Sequence, residues 1–142
     1  MTTLKDIMTE TVDTCSPVDN VYEAAVKMKE QNVGAIPICQ ERQLLGMITD
    51  RDIVVRGVAE KRPNSSSLEE LMSDHLFTAT PDMEVGEAAK LMAENQIRRL
   101  PVVEGNQLVG IVSLGDLAIH TSTEHNAAIA LTEISERPEY HH

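Results

Sequence analysis

From Val21 onward, apolar residues recur in a helical rhythm. Val21, Ala24, Ala25 and Met28 fall at i, i+3, i+4 and i+7 and so share one helix face. Asn20 stands before them as a cap, and Glu23, three residues on, completes the pattern of a capping box. The rhythm then changes. Val33-Gly34-Ala35-Ile36-Pro37-Ile38-Cys39 and Leu44-Leu45-Gly46-Met47-Ile48 are short apolar runs on either side of a polar turn, Gln40 to Gln43. Such a pair predicts a hairpin with both faces covered. A second helix is expected from Thr49, carrying Ile53 and Val54. With a strand ending at Thr14 and Ser16 placed first, the predicted order is strand, helix, strand, strand, helix.

The same pattern then returns. Pro17, Pro37 and Gly46 recur as Pro81, Pro101 and Gly110, all at one offset. That offset also pairs Met8 with Met72, Thr14 with Thr78, Met28 with Met92, Asp52 with Asp116, and Glu23-Ala24-Ala25 with Glu87-Ala88-Ala89. No gap is needed, so the two halves are copies of one unit. In the second copy Val85, Ala88, Ala89 and Met92 repeat the helix face. Gly105-Asn106 supplies the turn between Ile97 to Val103 and Leu108 to Val112. A unit of this size is marginal alone. The expected fold is therefore α/β, with two pseudo-symmetric β-α-β-β-α units packed through their sheets into one module. The first unit spans residues 4–58 and the second 68–120. Residues 59–67, with Pro63-Asn64 and three serines, read as a linker. The tail, 121–142, has Ala127, Leu131 and Ile134 at helical spacing, and His141-His142 read as a tag remnant.

Composition narrows the function. Aromatic residues make up 2% of the chain, so the core is built of aliphatic residues and methionine, and stacking platforms for single-stranded nucleic acid are missing. With 12 basic against 23 acidic residues the net charge is −11, which disfavours duplex binding. No apolar run is long enough to span a membrane, and the N-terminus has no apolar signal core, so a cytoplasmic protein is expected. Cys15 and Cys39 form no CxxC pair and read as buried free thiols. His75, His120 and His125 fit no metal-ligand spacing and read as surface histidines. No nucleophile–base pattern is present, so no enzyme is expected.

The strongest local signal is Gly46-Met47-Ile48-Thr49-Asp50-Arg51-Asp52, echoed by Gly110-Ile111-Val112-Ser113-Leu114-Gly115-Asp116. A hydroxyl and a carboxylate stand three apart where a strand feeds a helix. Two readings fit. Thr49 with Asp52, and Ser113 with Asp116, suit reciprocal helix capping. The same geometry also suits a nucleotide, with phosphate at the helix start and a ribose diol on the carboxylate.

The whole pattern resembles a pair of cystathionine-β-synthase (CBS) domains, a Bateman module, and in particular small stand-alone bacterial CBS-pair proteins. The resemblance runs from about Leu4 to His120. It rests on the two Gly-x-x-[Thr/Ser]-x-x-Asp segments, the Pro37 and Pro101 strands and the paired Glu-Ala-Ala helices. It implies a regulatory module that binds adenosine-containing nucleotides in clefts between the two units. One site would use Thr49 and Asp52 with Gly34, Ala35, Ile36 and Pro37. The other would use Ser113 and Asp116 with Arg98, Arg99, Leu100 and Pro101. Thr14 and Ser16, or Thr78 and Thr80, would approach the base. AMP, ADP, ATP, S-adenosylmethionine and NADH share the adenosine handle. A homodimer through the helices starting at Thr49 and Ser113 is expected, signalling to a target outside this chain. The alternative is a protein-interaction scaffold that binds no nucleotide.

The copies differ at the site. Gly34-Ala35 let a base come close, whereas Arg98-Arg99 can bind phosphate bidentately. Arg51 opposes the dipole of its own helix, which is compatible either with phosphate contact or with a solvated side chain.

Overall fold

The structure is a computed structural model and describes residues 2–119. In chain order its elements are α1 (Leu4–Ile7), α2 (Val21–Gln31), β1 (Ala35–Gln40), β2 (Gln43–Thr49), α3 (Asp50–Asp52), α4 (Val85–Asn95), β3 (Arg99–Glu104), β4 (Gln107–Ser113) and α5 (Leu114–Ile119). A π-helical turn, Ile53–Gly57, and a 3-10 turn, Val58–Glu60, continue α3. A further 3-10 turn covers Leu68–Glu70. The expected tail helix, His120 and His125 lie outside the described residues.

The chain folds as two compact units, each built on one copy. The first-copy unit holds residues 13–76 with 106–108. The second-copy unit holds residues 2–12, 77–105 and the rest of the described chain. The leading turns are therefore exchanged. Leu4 is fully buried in the core of the second copy, with Val85, Met92 and Leu100. Its repeat partner Leu68 is fully buried in the core of the first, with Ile36, Ile38 and Ile48.

Glycines of the motif make room for these exchanged segments. A Cβ on Gly46 would lie 2.8 Å from both the Ser73 carbonyl and the Met72 sulfur. One on Gly110 would lie 3.1 Å from the Thr9 carbonyl and 2.6 Å from the Met8 sulfur. Beside each glycine the chains exchange paired backbone bonds. Met47 and Ser73 bond both ways at 3.0 Å, as do Ile111 and Thr9. The first letter of the Gly-x-x-[Thr/Ser]-x-x-Asp pattern is thus a packing requirement.

The expected opening strand is reduced to one residue in each copy. Cys15 makes a single parallel bridge to Ile38, and Ala79 makes one to Val102. The cause lies in the four matched prolines. Cys15 donates to the Pro37 carbonyl and accepts from Cys39, so the next parallel bonds would need the nitrogens of Pro17 and Pro37. Neither carries a hydrogen. Ala79, bonded to Pro101 and Val103, is stopped in the same way by Pro81 and Pro101.

The hairpins and main helices otherwise follow the predicted pattern, but the helix expected from Thr49 is a short α turn, and Ile53 and Val54 lie in the π-helical turn that follows it. β1 pairs antiparallel with β2 from Ala35–Thr49 to Gln40–Gln43, with a bulge between Ile38 and Cys39. β3 is hydrogen-bonded to β4. β1 and β3 share one profile, four buried residues between a half-buried first and an exposed last residue. The main helices end in matched left-handed residues, Asn32 (φ 55°) and Gln96 (φ 54°). The Asn20 side chain accepts from the Glu23 amide at 2.9 Å, whereas Glu84 heads α4 without a side-chain cap. One member of the predicted helix face is misplaced. Ala25 is exposed, although its partner Ala89 is buried.

Candidate functional site at the strand-to-helix junctions

In each unit, backbone bonds join the start of the hairpin's first strand to the start of the helix after its second. The Asp50 amide donates to the Gly34 carbonyl at 2.9 Å, and the Leu114 amide donates to the Arg98 carbonyl at 3.1 Å. The two segments singled out in the sequence are therefore neighbours in both copies. The residues before the bridge also come close, because Cys15 and Ala79 bond the same strands. Thr14 and Ser16 flank the first of these bridges, and Thr78 and Thr80 flank the second.

The hydroxyl and carboxylate form reciprocal caps, as the capping reading requires. The Thr49 amide donates to Asp52 Oδ2 and the Asp52 amide to Thr49 Oγ1, both at 3.0 Å. In the second copy the Ser113 amide donates to Asp116 Oδ2 at 2.8 Å and the Asp116 amide to Ser113 Oγ at 3.1 Å. A carboxylate has two oxygens and about four acceptor positions, so capping through Oδ2 does not exhaust it. All four side chains are half-buried, reachable from solvent yet held in place.

The strand residues divide by position. The side chains of Ile36, Pro37, Leu100 and Pro101 are buried, so these residues can offer a ligand little beyond their backbone. Gly34, Ala35, Arg98 and Arg99 are at least partly accessible. Arg99 is half-buried, and its Nε is a buried polar atom without a hydrogen-bond partner. Burial pushes its guanidinium below the ordinary arginine range, and the nearby Asp116 carboxylate works against that shift. Arg51 and Arg98 are exposed.

Two groups were not singled out from the sequence. The Asp50 carboxylate lies over Gly34: an ideal Cβ there would meet Asp50 Oδ2 at 3.0 Å. Asp50 Oδ1 accepts from the Arg51 amide at 2.8 Å. Beside the bridge of the first copy, Lys27 donates to the Thr14 carbonyl at 2.6 Å and to Asp13 at 3.1 Å, and Gln31 also bonds Asp13. Burial pulls the Lys27 ammonium pKa down, but Asp13 and neighbouring groups outweigh this, and the net shift is upward. The available signal was a break in the repeat, since Asp50 and Lys27 answer to Leu114 and Leu91.

Among the described residues, no group of three or more His, Cys, Asp or Glu side chains is placed to hold a metal ion. No helix there is long and apolar enough to cross a membrane. The CBS domain model matches residues 4–57 and again 68–121.

The chain belongs to the CBS domain family.

As a CBS pair it is 48% identical over 138 residues to the uncharacterized protein YlbB of Bacillus subtilis, covering 96% of this chain and 93% of that one. It is 39% identical over 122 residues to hypoxic response protein 1 of Mycobacterium tuberculosis, covering 84% and 85%. Among solved structures, hypoxic response protein I with two coordinated zinc ions superposes with a TM-score of 0.77 at 36% identity. That match covers 84% of this chain and 98% of that one. The CBS domain pair of protein MJ0100, in complex with 5′-methylthioadenosine and S-adenosyl-L-methionine, superposes with a TM-score of 0.75 at 30% identity, covering 87% and 98%.

Proposed function

We propose that this CBS pair is a cytoplasmic, non-catalytic regulatory module. It binds adenosine-containing compounds at the strand-to-helix junction of each copy and, as a homodimer, passes the signal to a protein outside this chain. The observation that carries the reading is the likeness to the MJ0100 CBS pair, whose two ligands both contain adenosine. The local chemistry supports it. Asp52 and Asp116 are half-buried carboxylates that each accept a cap hydrogen bond through Oδ2 and keep further acceptor positions, suited to a ribose diol. Arg99 is half-buried near Asp116, and its guanidinium is suited to a ligand phosphate.

An interaction scaffold without a nucleotide is the second reading. It is favoured by the exposed valines after α3, Val54, Val55 and Val58, at 58%, 44% and 70%.

A thermal-shift and calorimetric panel of adenosine, AMP, ADP, ATP and S-adenosylmethionine, with GTP as control, separates the two. A sensor is stabilised by at least one adenosine compound, and Asp116→Asn, which retains a capping oxygen, weakens that response. A protein stabilised by none of them, or equally by GTP, is not an adenosine sensor.

A further inference from the structure

The junctions of the two copies are built as opposites in charge. In the first copy the strand side is bare at Gly34, and the helix side places a carboxylate, Asp50, over it. In the second copy the strand side carries Arg98 and Arg99, and the helix side carries buried, apolar Leu114. The paired change is sterically coherent. Asp50 Oδ2 occupies space that any side chain at position 34 would need, because a Cβ there would already stand at 3.0 Å. Counting Arg51, Asp50 and Asp52, the first junction is net negative. Counting Arg98, Arg99 and Asp116, the second is net positive.

We infer that Asp50 is a specificity-determining residue that makes the first-copy site reject phosphate-bearing ligands and favour adenosyl compounds with a neutral or cationic 5′ group, while the second-copy site takes the phosphorylated ones. The inference rests on the adenosyl-binding reading above and assigns a ligand class to each of its two sites. A carboxylate beside an approaching phosphate raises the free energy of the bound state. It leaves an uncharged 5′ substituent unaffected and attracts a sulfonium. Asp50 is exposed, so the effect is screened by solvent and is modest for each charge.

The test is a site-resolved titration of the full chain by nitrogen-15 NMR. The amide of Gly34 reports the first-copy site and that of Gly115 the second. Adenosine and AMP are the probes, and wild type is compared with Asp50→Asn. Asparagine keeps an acceptor for the Arg51 amide. Asp50→Leu, which installs the second copy's residue, is the second variant, and the spectrum itself reports folding. In the wild type, Gly34 should respond more strongly to adenosine than to AMP. In both variants the AMP penalty at Gly34 should shrink about three- to fivefold, less so in high salt, with no change at Gly115. If both probes bind and the AMP-to-adenosine ratio at Gly34 is the same in all three proteins, Asp50 does not select by charge and the inference is overturned. If neither probe moves either glycine in the wild type, the adenosyl-binding reading fails, and the inference falls with it.

Discussion

Helix α2 of the first copy buries Val21, Ala24 and Met28, whereas α4 of the second buries Val85, Ala88, Ala89, Met92 and Ala93. Around them the two copies keep several backbone features, although the helix after the hairpin is a short α turn passing into a π-helical turn in the first copy and a regular α5 in the second. They share the left-handed helix ends, the single-residue bridge between prolines, the glycine under an exchanged segment and the hydroxyl–carboxylate cap. Polar chemistry is where they part. Asp13, Lys27 and Gln31 form a charged clamp in the first copy, and Phe77, Leu91 and Asn95 stand in their places. Cys15 and Cys39 answer to Ala79 and Val103. Asp50 answers to Leu114. A duplicated fold keeps the residues its backbone cannot do without, so differences between copies point to positions free to acquire separate roles.

The largest expected effect comes from the exchanged leucines. Leu4→Ala and Leu68→Ala should each cost about 2–4 kcal/mol in denaturant unfolding, because each removes a fully buried side chain from a core. A near-neutral Leu4→Ala would show that residues 2–12 are not an integral part of the second-copy unit. Next come the motif glycines. Gly46→Ala should cost about 2–3 kcal/mol and Gly110→Ala nearer 1, since Gly46 faces a backbone carbonyl at 2.8 Å while the closest atom to Gly110 is a flexible methionine sulfur. Equal costs would remove that distinction between the copies.

A smaller effect depends on pH. Burial pushes the Cys15 and Cys39 thiols above their ordinary values, and Lys27 is also raised on balance. The folded chain therefore holds protons that the unfolded chain would release. This stability is complete below the ordinary thiol range and is lost as pH climbs through it. Urea midpoints should fall between neutral pH and about pH 10. Replacing the cysteines with the second copy's residues, Cys15→Ala with Cys39→Val, should flatten part of that fall. A midpoint that holds steady or rises in the wild type would contradict the assignment.

The gap-free repeat made the architecture legible, because apolar periodicity and turn residues agreed in both copies. Three features escaped it for physical reasons. Pro17 and Pro37 look like strand punctuation, but their effect, ending a parallel ladder on both sides of Cys15, depends on which nitrogens face the neighbouring chain. Ala25 and Ala89 are identical in sequence and differ in burial, since alanine carries no signal strong enough to fix a face. Asp50 reads as a first-turn carboxylate suited to the helix dipole, and only its position over Gly34 gives it a place at the junction. The cap residues are legible in the motif, whose spacing suits both capping and ligand binding, and capping is what the hydrogen bonds display.

The most direct test of a charge-divided adenosyl module is a calorimetric comparison of wild type with Arg98→Ala and with Arg99→Ala, each titrated with AMP and with adenosine. Loss of a charged hydrogen bond to phosphate should weaken AMP by about tenfold or more while changing adenosine little. The effect should be greatest for Arg99, which is half-buried near Asp116 and so less screened than exposed Arg98. If both substitutions reduce AMP and adenosine by the same factor, or leave their ratio as in wild type, the arginines do not read phosphate and the division between the two copies is wrong.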